Sequence, residues 1–158
     1  MALQFRRVVT GHDASGRAVV KIDEIAKNLV SSRPGATSCV VWTSQGFPVD
    51  NAGDEDAGLR KTGTTLDNGT VFRILQLAPG ASPRNHRTDS IGYAVVMSGE
   101  IDMELDDSTV HLKASDVLVQ RGTIHNWVNR GTVPCVIAFV LIAAKPVEVG
   151  GKVLHAQS

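Results

Sequence analysis

The sequence predicts an all-β sandwich or barrel, and three observations carry that expectation. Helix-period apolar patterning is scarce, short runs rich in β-branched residues recur along the chain, and clusters of Gly, Pro, Asn, Asp and Ser separate them. A chain of 158 residues can bury most of its apolar surface. The expected organisation is one domain over residues 1–158, with a barrel core at about 70–143 and N-terminal strands plus a long loop at 1–69.

Residues 19–22 and 38–43 read as the early strands. Between them the stretch DEIAKNL predicts a short helical turn over 23–29, stopped by the cluster Ser31-Ser32-Arg33-Pro34-Gly35. Residues 46–69 are polar, rich in Asp, Gly and Thr, and without periodicity. They read as a long loop, either a lid or partner-contacting segment or a disordered insertion. Strands then follow at 70–77, 93–97, 101–105, 109–112, 117–120, 125–129 and 135–142, with an added edge strand at 153–155. Pro79-Gly80, Ser98-Gly99 and Asp106-Asp107-Ser108 supply turns. The strand at 135–142 is apolar on both faces, which requires cover on both sides, from a second sheet of the same chain or from a second subunit.

Sixteen basic and sixteen acidic residues cancel, so no basic field points to nucleic acid as a partner. A net charge near zero also does little to keep copies apart. Cys39 and Cys135 each sit in an apolar stretch and read as small buried hydrophobes. The N-terminal residues hold no apolar run of signal-peptide length, and the longest apolar run, 133–144, is too short for a bilayer-spanning helix. The cytoplasm is the expected compartment, with no membrane partner. Phosphate-cradling loops, a Gly-x-Ser-x-Gly elbow, CxxC pairs and basic-aromatic runs are all absent from the sequence.

Two motifs in this frame resemble those of the cupin superfamily. Gly80, His86-Arg87-Thr88, Gly92 and Gly99 stand where the first cupin motif places a glycine, a His-x-His pair, a glutamate and a closing glycine. Ser115-Asp116, Gly122, His125 and Asn129 stand where the second places Gly-Asp, a proline turn, a histidine and an asparagine. Here the turn is shortened, and Gln120-Arg121 replaces the usual proline. Residues 86–107 and 120–129 are further similar to a subgroup of small bacterial and fungal cupins, whose fungal members often occur among genes for small-molecule biosynthesis. The resemblance implies a double-stranded β-helix, the jelly-roll barrel also called RmlC-like, with a ligand site at its centre.

It also implies where a metal would sit, on the two histidines and the glutamate of the first motif and the histidine of the second. Such a set suits iron, manganese, nickel, copper or zinc. His86 and His125 remain, but Thr88 and Gly92 occupy the other two positions. The expected site is therefore incomplete: one divalent transition metal on His86 and His125 with a third ligand from Asp89, Tyr93 or His12, or no metal. Without metal, His86 or His125 is a candidate general base. Tyr93 adjoins the vacant carboxylate position and is a candidate acid or hydrogen-bond donor. Thr88, Gln120 and Trp127 are candidate pocket residues. Each has a plainer reading as well: satisfied core histidines, a β-branched strand former, a turn cap and core filling. Arg73 and Arg87 read as barrel-rim or interface residues, and His12, His111 and His155 as solvent-facing.

Three functions follow as alternatives. The first is an enzyme of isomerase, lyase or decarboxylase, or oxygenase type acting on a small organic molecule in the barrel. The second is a metabolite-binding or sensor protein without chemistry. The third is a filled barrel that works through its surface. Cupins commonly pair through strands, so the resemblance and the doubly apolar strand at 135–142 together predict a homodimer.

Overall fold

The structure, a computed structural model, describes residues 2–158. The chain opens with an antiparallel hairpin of β1 (Arg6–His12) and β2 (Ala18–Ile25). A second hairpin pairs β3 (Leu29–Arg33) with β4 (Ala36–Gln45), turning at Pro34-Gly35, where Gly35 takes φ +80°. After a 3₁₀ turn at Ala57–Leu59 come β5 (Gly69–Leu77), β6 (Ser90–Ser98), β7 (Glu100–Glu104) and β8 (Thr109–Lys113). The chain continues through β9 (Val117–Arg121), β10 (Asn126–Val128) and β11 (Cys135–Ala143). A small hairpin of β12 (Val147–Val149) and β13 (Lys152–Leu154) follows.

Two sheets make the barrel. One is six-stranded in the order β3-β4-β5-β11-β6-β9, the other three-stranded in the order β10-β7-β8. Side chains alternate across a strand, so each sheet turns one row inward. Val71, Leu77, Ala94, Val96, Cys135 and Ile137 from the larger sheet meet Ile101, Met103, Leu112 and Trp127 from the smaller one in a single apolar cluster. Together these features are those of a double-stranded β-helix.

β11 sits in the middle of the larger sheet, between β5 and β6. Its odd-numbered residues, Cys135 to Leu141, are buried inside the barrel, while Val136, Ala138, Val140 and Ile142 face outward and are half-buried. Their outer neighbours on β6 and β9 are apolar and exposed: Tyr93, Val95, Met97, Val117 and Val119.

The structure corrects the helical turn expected at 23–29. Those residues are the end of β2, a short link and the start of β3. The charges that suggested a helix are cross-strand ion pairs: Arg6 grips Asp23 through two bonds of 2.7 and 2.8 Å, and Arg7 lies opposite Glu24 in the ladder. Sequence reading missed β1, and so missed what β2 pairs with. The loop at 46–69 is also folded rather than a disordered insertion. Asp56 accepts from the Gly58 amide and receives two bonds from Arg7, whose side chain is only 1% exposed. No helix among the described residues is long and apolar enough to cross a membrane.

Candidate functional site

His86 and His125 face each other across a two-residue antiparallel bridge. Each backbone N–H donates to the other residue's carbonyl at 3.0 Å. Direct cross-strand partners share a face, so both imidazoles enter the barrel together, with ring centroids 4.3 Å apart. Each ring is also fixed from behind. His86 Nδ1 lies 2.9 Å from the Arg84 carbonyl, and His125 Nδ1 lies 2.9 Å from the Thr123 carbonyl. A carbonyl only accepts, so Nδ1 carries the proton in both rings and the Nε2 lone pairs are left for the cavity.

Burial holds both rings neutral. His86 is pushed down to about 4, chiefly by desolvation and further by the positive charge of neighbours that include Arg84 and Arg33, against a raising effect of the Arg84 carbonyl. His125 is lowered by burial in the same way, with Arg84 again adding to the effect. Trp127 stands edge-on to His125 at 6.0 Å, and Phe139 edge-on to Trp127 at 5.8 Å, forming an aromatic wall.

These side chains line a cavity of about 440 Å³ whose walls also include Thr88, Gln120, Leu75 and Leu141. Thr88 is bonded to Ser90 at 2.8 Å, and Gln120 Nε2 approaches Met103 Sδ at 3.5 Å. Gly92 faces Leu141 and Gln120 across the ladders, and a Cβ there would come within 3.2 Å of Leu141 Cδ2.

Sequence reasoning therefore brought His86, His125, Thr88, Gln120 and Trp127 to one cavity. Tyr93 is corrected. It is one residue out of phase with the inward row of Gly92 and Ala94, so it points to the outer face and is 46% exposed. His12 is exposed on the β1–β2 hairpin, and Asp89 lines a separate, adjoining cavity. Arg73 is corrected too. It shares the inward row of Val71, Leu75 and Leu77 and lines the histidine cavity rather than the rim. That two-residue spacing was the available signal. Arg33, from the β3–β4 turn, and Arg84, ahead of His86, were also missed, as were Thr62, Gly63 and Thr64 of the long loop, which close one side. Arg73 Nη2 donates to the Gly63 and Thr64 carbonyls at 2.6 and 3.2 Å, fastening the loop to the barrel.

Residues 73–142 match the cupin domain family. Phomopsin biosynthesis cluster protein C' of Diaporthe leptostromiformis is 38% identical over 159 residues, covering 94% of this chain and 83% of that protein. The cupin-domain-containing oxidoreductase fogC of Aspergillus ruber is 32% identical, covering 92% of this chain and 76% of its own. The chain belongs to the cupin family. Among solved structures, the polyketide cyclase RemF of Streptomyces resistomycificus superposes with a TM-score of 0.53 at 15% identity, over 77% of each chain. An RmlC-like cupin of Shewanella frigidimarina gives 0.51 at 12% identity, over 75% of this chain and 85% of that one. At such identities the structural likeness concerns the fold.

Cupins often hold a metal, and the donor set of this cupin does not fit one as a resident. Two imidazoles are backed by carbonyls as ligating histidines usually are. Yet no group of three or more His, Cys, Asp or Glu able to hold an ion exists among the described residues. No carboxylate lines the cavity, while Arg33, Arg73 and Arg84 do. A dication would enter a positively charged chamber with two neutral ligands.

Proposed function

We propose that this cupin is an enzyme acting on a small organic molecule by proton transfer, of isomerase or lyase type, with His86 and His125 as the acid–base pair. The observation that carries the reading is the pair itself: two buried, neutral imidazoles with Nδ1 tied to backbone carbonyls and Nε2 left unbonded beside the cavity. Nε2 of one ring takes a proton from the carbon next to a carbonyl. The C–H electron pair moves into an enolate, whose oxyanion the cavity guanidiniums stabilise. The proton then returns to a neighbouring atom, completing an isomerisation, or a β-substituent departs with the electron pair, completing an elimination. Trp127 and Phe139 hold the apolar body of the substrate, and the loop at Thr62 to Thr64 excludes water. The relatives' names support an enzymatic role in biosynthesis without fixing a reaction. Of the reaction types open to the fold, isomerases and lyases fit the cationic walls best, because their intermediates are oxyanions.

A binding or sensor role is the second reading, favoured by the weak basicity of a histidine held at about 4. Turnover separates the two. His86→Ala and His125→Ala each lower the rate about 100-fold or more if these rings move the proton; full turnover in both variants sinks the catalytic reading. Metal content measured in wild type and His86→Ala is expected to be substoichiometric and equal. A stoichiometric transition metal that vanishes in the variant would instead make the histidines ligands.

The same proposal includes a homodimer. Tyr93, Val95, Met97, Val117 and Val119 form an exposed apolar face, with Arg121 at one end of its β9 row, beside the half-buried outer row of β11. A mainly apolar sheet face complements a second copy of itself. Light scattering is expected to give twice the chain mass, and Val95→Glu to give the monomer. A monomeric wild type across a wide concentration range refutes the dimer.

A further inference from the structure

The charge of the cavity points to the kind of molecule it takes. Arg33, Arg73 and Arg84 all line it, and no aspartate or glutamate among the described residues does. Their bonds go only to neutral oxygens: Arg33 Nε to the Ser82 carbonyl, Arg73 Nη2 to the Gly63 and Thr64 carbonyls, and Arg84 Nη2 to Thr64 Oγ1. Arg73 Nε is buried with no acceptor at all among the described residues. A guanidinium carries five N–H donors, so most of this donor capacity is unspent.

Outside the cavity, Arg87 likewise bonds only a carbonyl, that of Gly122, but five other arginines are neutralised. Arg6, Arg7, Arg17, Arg60 and Arg130 each bond a carboxylate. Leaving three half-buried guanidiniums without a carboxylate around one cavity is costly, because charge withdrawn from water is tolerated when it is paired. The missing partner has to arrive from outside. Asp67 and Asp89 line an adjoining cavity, which shares only Thr64, Arg84 and Thr88 with this one.

Part of the remaining lining is apolar, and Phe139 is the direct cross-strand neighbour of Arg73. Trp127, Phe139, Leu75 and Leu141 are apolar, and the volume of about 440 Å³ suits a molecule of one or two rings. We propose that the cavity binds an organic oxyanion, a carboxylate or phosphate head on an apolar, ring-sized body. The head lies in the fork of Arg73 and Arg84 with Arg33 behind, and the body lies against Trp127 and Phe139. Guanidinium forks match the two oxygens of such heads. The inference rests on the cavity being the working site and specifies what that site selects.

Calorimetric titration of the full chain at pH 7.5 and low salt tests it with 2-naphthoate, 2-naphthyl phosphate and the neutral 2-naphthamide. At least one anion is expected to bind about tenfold or more tighter than the amide, and comparison of the two shows which head is preferred. In Arg73→Gln and in Arg84→Gln the preference over the amide falls to within about twofold, while amide binding persists, which shows the cavity still formed. His86→Ala keeps the anion preference. Equal binding of amide and anions, no heat with any of the three, or a preference that survives both arginine variants overturns the inference. The catalytic reading fails separately: turnover retained in His86→Ala and His125→Ala removes it and leaves anion binding standing.

Discussion

Arg6, Arg17, Arg60 and Arg130 on the outside of the barrel meet carboxylates at 2.5–3.0 Å, whereas Arg33, Arg73 and Arg84 inside it meet only carbonyls and a hydroxyl. The outer pairs sit in water, where each charge is solvated with or without its partner. Arg33 and Arg73 are partly desolvated, so their lack of a partner raises the energy of the empty cavity. Arg33 and Arg73 are accordingly both shifted down, by burial first and by the charge of Arg84 second. A net charge of zero over the whole chain conceals this segregation, which only the fold brings together.

The largest effect expected from breaking this contrast lies at Arg7, whose buried guanidinium meets two carboxylates although its Nε, like that of Arg73, has no acceptor among the described residues. Asp56→Ala strips away its bidentate partner and leaves a guanidinium that is 1% exposed with Glu24 and the Val41 carbonyl. Urea denaturation is expected to show a loss of about 3 kcal/mol, the low end for breaking a buried pair because Asp56 itself is partly exposed. Arg73→Met, which removes an uncompensated charge and replaces it with apolar volume, is expected to change stability by less than about 1 kcal/mol. If the two variants cost the same, burial without a carboxylate is not what distinguishes the cavity arginines.

A smaller effect is carried by pH. The ordinary value for histidine is 6.5 and burial holds His86 at about 4 in the folded protein. Between those values the unfolded chain binds a proton that the folded one refuses, so stability is fully present above about pH 6.5 and falls as the pH drops toward 4. His125 acts in the same direction. With some discount for water reaching the cavity, the loss from His86 is on the order of 2 kcal/mol. Chemical denaturation at pH 7 and pH 4.5 measures it, and His86→Gln is expected to flatten the slope. An unchanged slope in that variant would assign the acid sensitivity elsewhere.

Much of this architecture is legible in the amino-acid sequence. The strands from β4 to β11 follow from turn residues and β-branched runs, and the two motifs locate His86, His125, Thr88, Gln120 and Trp127. What escapes a reading of the sequence is set by pairing. Residues 23–25 become strand because β1 offers Arg6 and Arg7 to Asp23 and Glu24, and no local propensity encodes that. Tyr93 is misplaced by adjacency: the neighbour of a site residue on a strand lies on the opposite face. Arg33, Arg73 and Arg84 reach one cavity from three separate stretches of chain, so their convergence is a property of the barrel and of the loop that Arg73 fastens.

The smallest effect is expected on the outer face of the β7–β8–β10 sheet, where Arg130 bonds Asp102 at 2.8 Å and Glu104 at 2.5 Å, and His111 bonds Asp102 and Glu100 at 2.7 and 2.8 Å. Bond for bond this cluster is better made than anything the cavity arginines have. Exposed pairs nevertheless contribute little, since ordering long side chains and salt screening offset the Coulomb gain. Arg130→Ala is expected to leave the melting temperature within about 1 °C of wild type in roughly 0.15 M salt. The pH behaviour here runs opposite to that of His86. Asp102 and Glu100 raise His111, so its contribution is present below its ordinary value and is lost as pH climbs through the raised one. A large drop for Arg130→Ala would mean that pairing itself, rather than desolvation, ranks these arginines. The cavity residues, bonded only to neutral oxygens, would then be the least important of the set instead of the most informative.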